Sequence, residues 1–290
     1  VNQAMNTGKR YQIKRVLNNN SLLALDERRT EVILLGKGIG FEKKKGDSIL
    51  FNEAVEKVFV PSSEDNREKM VRIFAETDEE VIRIINEFIE YVEKAVNKKF
   101  SEQFIVTLID HISFAIKRLG QGVNIDNPFL HEVRSLYAYE YKIAEEGIRK
   151  IEKQLHMKIP DDEIGFITLH LHSSRTNQSL SKMNRFSQLI SRLISVVENE
   201  LDVTIDKTSI DYARLITHLR FAVERAEAKK MLEDNHPVSD LLRKEYPACY
   251  NLSWKLVKIM QNELKVDIPE AEVSYLTLHI QRIVSHLHMK

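Results

Sequence analysis

The sequence predicts a multidomain protein: a small all-β domain followed by two all-α helical-bundle domains that are copies of each other. Three observations predict it. Residues 11–60 carry short β-type runs and four of the nine glycines. Apolar residues beyond position 70 recur at helical spacing, and the helical part repeats after roughly 108 residues.

The β runs are Tyr11–Leu17, Ser21–Asp26 and Thr30–Leu35, each rich in Val, Ile, Leu or Tyr, with Asp26–Arg29 as the turn between the second and third. Ala54–Val60 alternates charged and apolar residues and is a fourth candidate. An antiparallel sheet of about 50 residues is near the lower limit of independent stability, so dimerisation is expected to supply further burial. Pro61-Ser62-Ser63-Glu64-Asp65-Asn66 has the composition of a linker. Beyond it, Val71, Phe74, Ala75, Val81, Ile82, Ile85, Phe88, Ile89, Val92 and Val96 fall on helical faces. The helical pattern is interrupted at Gly120–Pro128, Pro160, Thr176–Ser181, Pro237 and Pro269. Pro160 and Pro269, each followed by acids, look like helix starts.

The repeat is specific. Asp110–Arg118 aligns with Thr217–Arg225 at an offset of 107, and Lys158–Leu171 aligns with Asp267–Ile280 at 109. Tyr137, Tyr141, Ile148 and Leu155 meet Tyr246, Tyr250, Val257 and Leu264, again at 109. The expected division is therefore 1–60 for the β domain, 61–68 for a linker, and 69–176 and 177–290 for the two helical copies.

Net charge is zero, but its distribution is not even. Residues 1–60 hold 11 Lys and Arg against 7 Asp and Glu, a net of +4, and the remainder carries the balancing −4. A basic small module on a mildly acidic body suits a nucleic-acid binder with a regulatory part. The single cysteine, Cys249, excludes an intramolecular disulfide and fits a reducing cytoplasm. No apolar run reaches membrane-spanning length. The N-terminus lacks a signal-peptide core, and Met5 is a candidate native start.

Two constellations could carry chemistry. The first joins Arg15-Val16-Leu17-Asn18-Asn19-Asn20 to Gly36-Lys37-Gly38-Ile39-Gly40-Phe41 and Lys43-Lys44-Lys45. Asn amides both donate and accept, glycines let backbone approach a ligand, Phe41 offers a face for an unpaired base, and lysines attract phosphate. Each element alone is also an ordinary turn or a solvated charge run. Their convergence in one basic domain points to nucleic acid. The Gly-x-Gly-x-Gly run is no dinucleotide fingerprint, because no βαβ unit follows it.

The second constellation is His111, His170, His218 and His279, which the duplication carries twice over in apolar helical segments. Shared packing explains such positions as readily as function does. Imidazole is nevertheless a nucleophile near neutral pH and can accept a phosphoryl group. His170-x-His172 and His286-x-His288 place each pair on different helix faces, so no metal site and no cofactor are expected. Asp161, Asp162, Glu163, Glu270 and Glu272 read as helix-dipole partners rather than catalytic acids. No Walker loop, hydrolase elbow or triad is present, so an enzyme is not expected. Cys249 and Trp254 read as core residues.

These residues resemble a known family. Arg15–Asn20, Gly36–Phe41 and the lysine run look like the RNA-binding domain of the BglG/SacY/LicT antiterminators, and the repeats look like their paired regulation domains of the sugar phosphotransferase system. Gly165–His172, Asn184–Leu189 and Glu245–Asn251 are most similar to the family's glucose-operon branch. The resemblance implies a homodimer that grips an imperfect hairpin in nascent mRNA and excludes a terminator. Arg15, Asn18, Asn20, Gly36, Lys37 and Phe41 would contact RNA. His111 and His170 would be phosphorylated through the sugar-specific enzyme II, and His218 and His279 by the carrier HPr. Phosphate adds nearly two charges, which repel across a symmetric interface and shift the dimer. Phosphorylation of the first copy would switch the protein off when glucose is absent.

The chain departs from the pattern twice. Glu42 follows Phe41, where a small, polar or basic residue is expected, and Thr217 stands before His218 where Asp110 precedes His111. An adjacent carboxylate orients an imidazole, so His111 is expected to be the stronger acceptor. The alternative reading, a DNA-binding activator with the same regulation domains, needs a helix-turn-helix ahead of Pro61.

Overall fold

The computed structural model describes residues 8–51, 54–61, 63–228 and 236–287. Met5, Ser62 and His288 lie outside these, as do the side chains of Pro237 and His286. By backbone contacts the chain forms two compact units. One runs up to Ile125 and takes in Ile143–Pro160; the other comprises Asp126–Lys142 and Asp161 onward.

In the first unit five strands form an antiparallel sheet: β1 (Arg10–Asn18), β2 (Ser21–Leu25), β3 (Glu31–Leu35), β4 (Ser48–Leu50) and β5 (Lys57–Phe59), ordered β4-β1-β2-β3-β5. Asp26 makes the β2–β3 turn, its Oδ1 accepting from the amides of Arg28 and Thr30. On one face Tyr11, Ile13, Leu22, Ala24, Val32, Leu34 and Ile49 form a core. Leu23, Ile33, Leu35 and Phe59 alternate onto the other face and are also buried. The helix α1 (Glu64–Glu76) packs against β1 and β2, and Phe74 meets Phe59 with ring centroids 5.6 Å apart. The sheet thus gains its second layer from its own chain. No helix precedes Glu64 among the described residues, and the β structure there leaves no helix-turn-helix for the DNA-binding alternative.

The expected linker is corrected at its end: Ser63 caps α1 by accepting from Asn66 N, so 64–68 are helical. Then come α2 (Glu79–Val96), α3 (Glu102–Gly120), α4 (Leu130–Leu136), α5 (Ala138–Leu155), α6 (Asp161–Thr176), α7 (Leu180–Leu201), α8 (Ile210–Glu227), α9 (His236–Glu245), α10 (Pro247–Leu264) and α11 (Glu270–Leu287). The breaks between α1 and α2, α2 and α3, and α7 and α8 carry no Pro or Gly. Asp78 caps α2, while Asn97 and Asp202 end helices in the left-handed conformation, with Ser101 and Ser209 capping the next ones.

In the first unit α5 closes on α2 at Gly147, where a Cβ would stand 2.4 Å from Phe88 Cε2. In the second unit Leu193, Val197, Tyr212, Leu215, Leu219, Leu256, Val257, Met260, Leu276 and Ile280 from α7, α8, α10 and α11 share one fully buried core. Cys249 belongs to this core and Trp254 packs at its edge. Two polar pairs are buried with it: Tyr212 donates to Glu132 Oε1 at 3.1 Å, and Ser239 meets Ser274 at 2.7 Å.

Candidate nucleic-acid interface and histidine pair

The β2–β3 register pairs Ser21 with Leu35, which brings the asparagine tract beside the glycine run. Backbone bonds fasten the two. Gly36 N donates to Asn20 O at 3.0 Å and Gly40 N to Asn19 O at 2.8 Å, while Gly38 N donates to Asn20 Oδ1 at 2.6 Å. A Cβ on Gly36 would lie 1.7 Å from Ala54 O, and one on Gly40 would lie 2.3 Å from Asn18 O. The glycines that sequence reasoning assigned to a ligand's approach are required first by the protein's own backbone.

Asn18 serves the same platform. Its Oδ1 accepts from Asn20 N at 2.9 Å and Ser21 Oγ at 2.6 Å, and its Nδ2 donates to Phe74 O at 2.8 Å. Asn19 N donates to Glu79 Oε1 at 2.6 Å. Gly36 is buried, and Asn18 and Asn20 are half-buried. Arg15, Asn19, Lys37 and Lys43–Lys45 are exposed, and Phe41 is 64% exposed with no hydrophobic burial to explain it. Asn19, the exposed member of the tract, belongs to the constellation marked in the sequence but not to the residues carried over by the family resemblance; the turn between β1 and β2 is what exposes it. Glu42 sits at the turn of this loop with φ 56°.

Among the histidines, His111 lies half-buried on α3 in the first unit and His170 half-buried on α6 in the second. Asp110 Oδ2 pairs with Lys69 Nζ at 2.8 Å, so the carboxylate on which the expected advantage of His111 rested is directed at α1. An open cleft of about 380 Å³ between α1, α2 and α3 is lined by Arg72, Asp78, Asp110, Phe114 and Lys117. His172, two residues after His170, is structural. Its Nδ1 is 2.9 Å from Glu140 Oε1 and its ring lies 4.2 Å from that of Tyr137. Burial would raise the Glu140 pKa, but hydrogen bonds from His172 and Arg175 hold it below the usual carboxylate range.

The second copy brings its two histidines together. The rings of His218 on α8 and His279 on α11 stack, with centroids 3.3 Å apart and planes 18° apart. Tyr275 presents an edge to both, at 5.6 and 5.2 Å. Burial depresses the His279 pKa to about 4, aided by His218, Arg282 and Arg214. Burial also lowers that of His218, followed by Arg225 and Arg214. Both rings are therefore neutral at pH 7 and keep a lone pair, the requirement for a nucleophile. Arg225 lies 5.8 Å from the Tyr275 ring centre and is held by Glu272 through two bonds of 2.6 Å. Glu272 is thus an ion-pair anchor as well as a first-turn acid. Glu270 accepts from Tyr250 at 2.5 Å and Asp162 from Asn127 N at 2.8 Å, which gives these first-turn acids structural partners too.

Comparison with known proteins decides the family. Residues 11–68 match the CAT RNA binding domain, and residues 86–174 and 191–283 each match the PRD domain. The chain belongs to the family of CAT–PRD antiterminators. It is 41% identical over 277 residues to the PtsGHI operon antiterminator of Bacillus subtilis (strain 168), covering 96% of this chain and 98% of that one. It is 37% identical over 271 residues to the GlcA/glcB genes antiterminator of Staphylococcus carnosus (strain TM300), covering 93% and 94%. Protein GlcT of a Staphylococcus saprophyticus strain is 35% identical over 276 residues, covering 95% and 98%. The crystal structure of GlcT CAT-PRDI superposes with a TM-score of 0.50 at 41% identity, covering 57% of this chain and 98% of that one.

The asparagine–glycine platform falls inside the CAT match. His111 and His170 fall inside the first PRD match, and His218 and His279 inside the second. No helix among the described residues is long and apolar enough to cross a membrane.

Proposed function

We propose that this CAT–PRD antiterminator binds, as a homodimer in the cytoplasm, a hairpin in nascent mRNA and thereby prevents a terminator from forming upstream of a glucose phosphotransferase operon. In this reading residues 1–60 bind RNA, 61–63 connect them to α1, and 69–176 and 177–290 regulate. The observation that carries it is the platform that joins the asparagine tract to the glycine run and leaves Phe41 exposed beside Lys37 and the lysine run. An unmatched exposed aromatic within a basic rim suits splayed bases of a distorted hairpin, which side chains can read where a regular A-form groove is closed to them. Arg15, Lys37 and Phe41 would touch RNA directly. Gly36 and Asn18 would hold the surface in shape, and Asn20 would do both.

His111, His170, His218 and His279 would accept phosphoryl groups, the first two through the sugar-specific enzyme II and the last two from HPr. The neutral rings of His218 and His279 support this assignment. The relatives' names, antiterminators of ptsGHI and of glcA/glcB, support the glucose operon as target. No substrate is turned over in this scheme.

The test is a gel shift of the full chain with an imperfect hairpin from a ptsGHI leader, against the corresponding DNA duplex. Phe41→Ala is expected to weaken RNA binding roughly tenfold, the loss of one stacked base. Equal affinity for the DNA duplex, or Phe41→Ala binding unchanged, would contradict the reading.

A further inference from the structure

The surroundings of the histidine pair differ from those of its counterpart in the first copy. On α8, Arg214 precedes His218 by four residues, so both lie on one stripe of the helix. On α11, Arg282 follows His279 by three, again on one stripe. The stacking of the two rings brings these stripes together. Asp211, one turn ahead of Arg214, joins them: Arg214 Nη1 is 3.8 Å and Arg282 Nε 3.7 Å from the same Oδ1. These are loose contacts, longer than hydrogen bonds, and both guanidiniums are about half exposed. Arg225 is different. Its two 2.6 Å bonds to Glu272, which is 2% exposed, hold it in place.

We propose that Arg214 and Arg282 are the residues that bind the phosphoryl group on the His218–His279 pair, exchanging Asp211 for it. The proposal rests on the reading of this pair as a phosphoryl acceptor and adds what holds the group there. A phosphoryl group offers three oxygens and nearly two negative charges, which the guanidinium fork matches better than it matches a carboxylate at 3.7 Å. Asp211 occupies the arginines in its place and is repelled from the site when the phosphoryl arrives. In the step itself a ring nitrogen attacks phosphorus and a new N–P bond forms. The donor's P–N bond breaks, and its electron pair leaves on the donor nitrogen. The proton shed by the acceptor ring balances the one taken up by the donor, and nothing is oxidised or reduced.

The first copy has no such device. At the repeat offsets, Thr107 stands for Arg214, Ser173 for Arg282 and Phe104 for Asp211. Retention of phosphate should therefore differ between the copies in the same chain, which supplies an internal control.

The full chain is labelled with potassium phosphoramidate, and occupancy of each histidine is followed by mass spectrometry under conditions that preserve the P–N bond. The double variant Arg214→Gln, Arg282→Gln should lower occupancy of the His218–His279 pair at least about fivefold and leave His111 and His170 unchanged. Arg214→Lys with Arg282→Lys should restore part of the loss, and Asp211→Asn should raise occupancy above that of the parent chain. Unchanged occupancy of the pair in the glutamine variant overturns the proposal. If the parent chain is labelled on His111 but on neither His218 nor His279, the acceptor reading of the pair falls, and the arginine proposal with it.

Discussion

Glu272 and His279 sit seven residues apart on one helix and set opposite conditions on it. Glu272 must stay charged to hold Arg225, while His279 must stay neutral against its neighbours. Glu272→Gln leaves a partly buried guanidinium without its anion, and thermal or urea unfolding should register a loss of about 2–3 kcal/mol, below the range for a fully buried pair. His279 makes stability depend on pH. Its folded pKa of about 4 lies below the ordinary 6.5, so between these values the unfolded chain binds the extra proton. Stability present above pH 6.5 is therefore lost as pH falls toward 4. A pH series of melting curves should show a smaller decline over that window for His279→Gln than for the parent chain; an identical decline would refute the assignment. Little of this was legible beforehand. The duplication marked His218 and His279 as equivalent to His111 and His170, but 61 positions separate the two and nothing in their spacing reports that the rings stack. Arg214 and Arg282 escaped notice for the same reason, since each is an ordinary surface charge until two helices meet.

At the scale of elements, the helices are set by caps as much as by their apolar faces. Ser209 Oγ accepts from Tyr212 N and starts α8, so Ser209→Ala should cost about 1 kcal/mol, measurable as a shifted unfolding midpoint. Gly147→Ala drives a methyl into the Phe88 ring and should cost about 1–3 kcal/mol by overpacking α2 against α5. A neutral effect there would mean the two helices separate easily. The main strands follow the apolar runs closely: the expected Ser21–Asp26 and Thr30–Leu35 are Ser21–Leu25 and Glu31–Leu35. The strand Ser48–Leu50 was missed because three residues with one inward side chain carry no readable alternation. The breaks at Asp78, Asn97–Ser101 and Asp202–Ser209 were not legible because no Pro or Gly marks them; Ser and Asp caps and left-handed Asn97 and Asp202 set them instead. Composition misplaced Glu64–Asn66 in the linker for the same reason: an acidic run after serine is also a helix start.

At the scale of the whole molecule, charge asymmetry is the feature that ties composition to function. The first 60 residues carry +4 in a chain of zero net charge, and their exposed lysines flank the strongly exposed Phe41. RNA affinity should therefore fall with salt, about 50- to 150-fold between 50 and 200 mM for about four phosphate contacts. Lys37→Gln should flatten that slope, whereas Phe41→Ala should lower affinity at every salt concentration and leave the slope unchanged. The same module explains the interest of α1. It covers the second face of the sheet and offers Phe74 O to Asn18, so the platform and the first helix of the regulatory region share one hydrogen-bonded layer. The most direct test of the account is single-round transcription in vitro through a ptsGHI leader terminator with the full chain present. The unmodified protein should increase read-through, and Phe41→Ala should abolish the increase. Read-through unaffected by the protein while the leader hairpin is bound would contradict it.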